Sequence, residues 1–212
     1  MKKIWKSYAV FSSRIYRLMT LLVIPVIFII VGFELFTLLK PDMMMTGFKL
    51  FVSLILTYEM INDYWLFSGI CTSEASAVES LKLSLRGRHI LKNALIFDLL
   101  KRFVCLLAAG VIAYAKTGML SLLLTTVGGY IVLVIMLNVT RYLSTFLMQI
   151  TMSQLAVAFF QLIMILFSDF DVVDANGYMG VMLLPLLVVC FALSVVTVAH
   201  IQGRWKESYY EK

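Results

Sequence analysis

The sequence predicts an all-α integral membrane protein with six transmembrane helices, an amphipathic interfacial helix before the first span and a cytoplasmic helix between the second and third. Three observations carry that reading. Hydrophobic residues make up 62% of the 212 residues and charged residues only 14%. An average soluble domain has about 25% charged residues, so polar surface here is too scarce to cover a soluble core. Apolar runs recur at lengths near the roughly 20 residues that a helix needs to cross a hydrocarbon layer of about 30 Å. Basic residues gather at one end of those runs, and of the 18 Lys and Arg only Lys40, Lys49 and Lys116 fall toward the other side. The formal charge of +6 follows from that clustering and calls for no nucleic-acid partner. The runs lack the period-two alternation of a membrane barrel.

The elements follow in order. Met1–Leu18 sets Ile4, Trp5, Tyr8, Phe11, Ile15 and Leu18 on one side, with Lys2, Lys3, Lys6, Arg14 and Arg17 among the rest. That is how a helix lying in the headgroup plane is built. The MKK start resembles a secretory leader. Its apolar stretch begins too late and runs too long, and no small-residue cleavage site follows. The spans are Met19–Leu39, Thr46–Ile70, Ala94–Tyr114, Met119–Asn138, Leu143–Phe167 and Gly180–Ile201, which together make one membrane domain over residues 19–201. Arg141 alone separates the fourth and fifth runs, where it is expected to snorkel to the headgroups. Lys40-Pro41-Asp42, Lys116-Thr117-Gly118 and the loop with Asp169, Asp171 and Asp174 punctuate one side. The N-terminus, the block Thr72–Asn93, Arg141 and the tail 202–212 punctuate the other. The excess of Lys and Arg on that second side makes it cytoplasmic, so both termini are expected inside a multi-pass cell-membrane protein.

The residues able to carry chemistry are few. Glu59 and Asp63 sit at i and i+4 on the second span, so both carboxylates share a helix face. Ionisable groups inside a span are costly and face a cavity or a partner. One reading makes Glu59 and Asp63, with Glu34 near the outer end of the first span, part of a translocation path. The other pairs Asp63 with Lys101 or Arg102, for which Asp98 also has helical spacing. Gly128-Gly129 in the fourth span suits close helix packing. Cys71, Cys105 and Cys190 are far apart, without metal or redox spacing, and read as small buried hydrophobes. No GxxxxGK[ST] occurs, so the chain holds no phosphate loop of its own, and no hydrolase motif such as HExxH or GxSxG is present.

The block Thr72–Asn93 carries Lys82, Arg86, Arg88 and Lys92, Glu74 and Glu79, and a leucine stripe. Ser76-Ala77-Val78-Glu79 offers a capping box. Leu81, Leu83 and Leu85 follow, then Arg86-Gly87-Arg88-His89-Ile90-Leu91. With six spans, inner termini and the amphipathic start, this arrangement resembles the permease subunits of type-2 ABC transporters, bacterial exporters among them. Arg88-His89-Ile90-Leu91 is similar to that family's arginine followed by an Ile-Leu pair. The proline often found before the basic turn is absent, and Lys92-Asn93 stands where Gly-Lys is usual.

The resemblance implies that the block is a coupling helix, with Glu79, Leu81, Leu83, Leu85, Arg86 and Arg88 docking a separate ATP-binding subunit at the cytoplasmic face. It implies a second copy or paralogue of the permease, and no cofactor in this chain, ATP and Mg²⁺ being held by the partner. The chain would then be no enzyme but half of an export path for a hydrophobic or amphipathic substrate such as a peptide. Two other readings stand beside it. One is an ion-gradient-driven carrier using the intramembrane carboxylates, and the other is a membrane assembly protein that transports nothing.

Overall fold

The computed structural model describes residues 2–38, 41–67, 70–71, 81, 84, 86–143, 145–166 and 175–207. Regular structure among them is helical throughout. We number the helices α1 (Lys2–Phe11), α2 (Arg14–Leu18), α3 (Ile24–Leu38), α4 (Pro41–Phe67), α5 (Gly87–Thr117), α6 (Leu120–Thr140), α7 (Phe146–Leu166) and α8 (Ala175–Glu207). A π-helical turn, Met19–Val23, joins α2 to α3. Five stretches are long and apolar enough to cross a membrane: Arg14–Gly32, Met43–Phe67, Leu120–Thr140, Phe146–Ile165 and Leu183–Trp205. The molecule is a multi-pass helical membrane protein. Helix α5 has the length to span but carries Asp98, Lys101 and Arg102 in its body, and these closely spaced charges keep it out of that group.

The interfacial segment expected over Met1–Leu18 divides at a pair of serines. The Ser12 hydroxyl bonds back to the Tyr8 carbonyl at 2.9 Å. Ser13 turns extended and its side chain accepts from the Tyr16 backbone N–H, capping α2. Serine oxygens compete with helix carbonyls and amides in this way, and so they sit well at helix boundaries. The first membrane helix therefore begins at Arg14 rather than Met19. Its π turn precedes Pro25, which has no N–H to donate and crowds the preceding turn. The wider turn relieves that crowding, with Ile24 N–H bonding to the Met19 carbonyl.

Helix α6 is the centre of the bundle and packs against α4, α5, α7 and α8. Small residues let the backbones approach, as expected for Gly128-Gly129. A Cβ on Gly129 would lie 3.0 Å from Val52 of α4, and one on Gly128 would lie 3.1 Å from Met164 of α7. Interhelical hydrogen bonds add direction: Asn138 to the Thr197 hydroxyl at 2.9 Å, Gln161 to the Ser53 hydroxyl at 2.6 Å and Gln149 to the Met60 carbonyl at 2.8 Å. Helices α3, α7 and α8 present rows of exposed Ile, Leu, Val and Phe, the surface a hydrocarbon solvent would cover. Helix α5 ends on Gly118, whose left-handed φ of 72° returns its N–H to the Tyr114 carbonyl at 2.8 Å, a glycine C-cap.

Candidate functional site

Three acids and three bases meet where α4, α5 and the turn after α6 converge. Helical spacing aligns Glu59 with Asp63 on α4, and Asp98 with Lys101 and Arg102 on α5. The guanidinium of Arg102 is fully buried and satisfied on every side. Its Nε donates to Asp98 Oδ2 at 2.8 Å, one terminal nitrogen donates to the Glu59 carbonyl at 2.6 Å, and the other to Asp63 Oδ1 at 3.0 Å. Arg141 reaches the same acids from the α6–α7 turn, donating to Asp63 Oδ1 at 2.9 Å and to Asp98 Oδ2 at 3.1 Å. Its guanidinium also lies 4.8 Å from the centre of the Phe67 ring, a cation–π contact. Lys101 Nζ sits 3.4 Å from Glu59 Oε2 and 3.8 Å from Asp98 Oδ1. The formal charges cancel within the cluster, which is the condition for holding so many ions out of water.

Arg141 does not snorkel. It is buried with no exposure, and the Cys71 N–H bonds to its carbonyl. The expectation of a headgroup-seeking arginine treats residue 141 by its local sequence alone. Two acids without enough local cations supply a stronger attraction than the interface does. Asp63 finds Arg102 as expected, and Arg141 in addition. A signal was present in the charges, since Glu59, Asp63 and Asp98 outnumber Lys101 and Arg102, and Arg141 is the one Lys or Arg between Lys116 and Arg204.

Helix α1 covers this cluster. Its apolar side lies on protein rather than on the headgroup plane alone: Tyr8 is fully buried, 4.7 Å from the Phe97 ring centre, and Trp5 meets Phe97 edge-on. Lys3 and Lys6 remain exposed. Burial, followed in size by the nearby Asp98 carboxylate, pushes the Tyr8 phenol well above the ordinary tyrosine range. Arg17 ties the end of α1 down, donating to the Ala9 carbonyl at 3.1 Å and the Ser12 carbonyl at 2.5 Å.

Beside the cluster, α3, α4 and α5 enclose a cavity of about 140 Å³. Its walls are apolar, among them Phe28, Ile29, Phe51, Val104 and Ala108, and its polar lining is Tyr58 and Glu59. Glu59 thus touches the ion cluster on one side and open space on the other. Asp63 is wholly within the cluster. Glu34 is exposed on α3 and takes no part in lining the cavity.

The chain matches no protein-family model, no curated protein and no solved structure. Its site is therefore read from its own geometry.

The remaining candidates fall before and at the start of α5. Glu79, Leu83 and Leu85, with the capping box Ser76–Glu79, fall outside the described residues, as does the acidic loop up to Asp174. Leu81 is helical and half-buried against the core, while Arg86 and Arg88 are exposed at the start of α5. Two backbone bonds link the described residues here, the Ser84 N–H to the Leu81 carbonyl at 3.2 Å and the Gly87 N–H to the Ser84 carbonyl at 2.9 Å. Gly87 has no room for a side chain, since a Cβ would collide with the Leu81 carbonyl. The end of α8 braces the turn: Gln202 donates to the Arg88 carbonyl at 3.2 Å, and the Trp205 ring lies against Gly87.

Proposed function

We propose that this chain is the transmembrane subunit of an ATP-binding-cassette exporter. It crosses the membrane six times, α5 included, with both termini in the cytoplasm. It forms half of a path for a hydrophobic or amphipathic substrate such as a peptide, beside a second copy or paralogue. It holds no nucleotide, because ATP and Mg²⁺ sit in a separate subunit docked on residues Glu79–Arg88.

One observation carries this reading. Gln202 and Trp205 of α8 brace Arg88 and Gly87, where the basic segment enters the first turn of α5. Some turns further along, the same helix is pinned to α4 and to the α6–α7 turn by the ion cluster. A push delivered at Arg86 and Arg88 would not be absorbed locally, since buried ion pairs and packed helices transmit displacement as bodies. That is what a coupling element requires.

The test is affinity purification of the chain from its native membrane in mild detergent, with mass spectrometry of its companions. A stoichiometric ATPase is expected with the unaltered chain, and its loss with Glu79→Lys combined with Arg88→Glu. A preparation free of ATPase would overturn the assignment.

A second reading has its own support. Glu59 is the one member of the ion cluster that also lines the cavity, which suits a carrier whose carboxylate binds a driving ion. Glu59→Gln would then abolish gradient-driven uptake into vesicles while leaving assembly intact. Unchanged uptake would remove this reading.

A further inference from the structure

We propose that the cavity between α3, α4 and α5 is a binding site for a neutral, membrane-dissolved amphiphile whose polar end donates a hydrogen bond, an alcohol or an amide N–H.

The size sets the first limit. An apolar cavity of about 150 Å³ is enough to hold benzene, so the space of about 140 Å³ here accepts one ring or a short stretch of alkyl chain. The direction of entry sets the second. Ile29 of α3 and Val104 of α5 both line the cavity and are both exposed, 48% and 53%. The mouth therefore opens between these helices, on the face that hydrocarbon covers, and the occupant arrives from the bilayer.

The polar end sets the third. Tyr58 Oη and Glu59 Oε2 are buried, and among the described residues neither has a hydrogen-bond partner. Glu59 Oε2 has only ion contacts, to Lys101 at 3.4 Å and to Arg102 at 3.5 Å. Both residues line the cavity, and a buried oxygen left without a hydrogen bond is unfavourable, so an incoming O–H or N–H has the Tyr58 oxygen to pair with beside the Glu59 carboxylate. A phenolic oxygen can accept that hydrogen or donate its own. Charge then selects among head groups. The adjoining cluster balances three acids against three bases, so an ammonium would leave a net buried cation beside Lys101 and Arg102. A carboxylate would face Glu59 directly. Both are penalised in a low-dielectric site, whereas a neutral donor meets neither obstacle.

The wall is built to admit it. Pro25 lines the cavity two residues after the π segment. Gly32 lies close against Phe51, where a Cβ would be 3.0 Å from the ring, so α3 approaches α4 closely at that end of the cavity.

The experiment uses the full chain in phosphatidylcholine nanodiscs, irradiated with octanol carrying a diazirine, with adducts mapped by mass spectrometry. Adducts are expected to concentrate on Phe28, Val104 and Ala108. Unlabelled hexanol and hexanamide should compete, while hexylammonium and hexanoate should not. Tyr58→Phe, which removes one oxygen and no packing, should lower labelling at those residues at least about fivefold. Ala108→Trp, which fills the space, should abolish it. Labelling spread evenly over the exposed faces of α3, α7 and α8 would overturn the proposal. So would labelling indifferent to Tyr58→Phe, or equal competition by the ammonium. The outcome is independent of transport, because it is read on the chain alone.

Discussion

Arg141 has three surroundings at once: two carboxylates, the face of Phe67 and the backbone of Cys71. Removing one partner of a buried ion pair leaves the other uncompensated, which costs about 3–5 kcal/mol. Arg141→Met is therefore expected to lower stability in detergent by about that amount, read as a fall in the thermal unfolding midpoint. Adding Asp63→Asn restores charge balance to the cluster and should recover a good part of the loss. A double variant no more stable than Arg141→Met would mean that the cluster acts through geometry rather than charge. The local residue pattern pointed to Asp63 as a paired carboxylate, but residue 141 is 78 positions away from it, and no helical periodicity reaches that far.

At the scale of elements, α1 and the start of the first membrane helix depend on a few polar contacts. The Tyr16 hydroxyl donates to the Asn62 side chain, and Ser13 caps α2. Arg17 holds the end of α1 by two carbonyls. Hydrogen bonds from a charged donor contribute about 1.5–3 kcal/mol, and 1.4 kcal/mol is a factor of ten in an equilibrium. Arg17→Ala should thus raise amide exchange over Ser7–Phe11 by about tenfold or more, while amides in the middle of α6 keep their protection. Equal exchange in both proteins would leave the Phe97 contacts as the whole attachment of α1. The amphipathic pattern of residues 1–18 is plain in the sequence, but its division is not. Whether Ser12-Ser13 breaks a helix depends on the angle at which α1 must turn to lie over α5.

For the whole molecule, orientation follows from charge and length together. Lys3 and Gly203 are both exposed at the side that also carries Arg86 and Arg88, and Met119 is exposed at the opposite end of α5. With Cys71, Cys105 and Cys190 replaced, Lys3→Cys and Gly203→Cys should react with an impermeant maleimide only after the cells are opened. Met119→Cys should react from outside. Labelling of Gly203→Cys but not of Lys3→Cys in intact cells would mean an odd number of crossings and would take α5 out of the bilayer. Helix α5 is the decisive case because it is the most heavily charged of the long helices in its middle, yet every one of Asp98, Lys101 and Arg102 is turned inward onto a neighbour.

Composition and run length were sufficient to determine a helical membrane protein and the approximate limits of five of its apolar helices, because the bilayer imposes length and polarity on each segment separately. The break at Lys116-Thr117-Gly118 and Gly128-Gly129 as a packing site were legible for the same local reason. Tertiary structure decided what the buried charges do. Ion pairing in low dielectric acts over a few ångströms of space regardless of separation along the chain, so Arg141 moved from the headgroups to the core. Glu59 came to stand between a balanced cluster and a cavity whose three walls are distant in sequence.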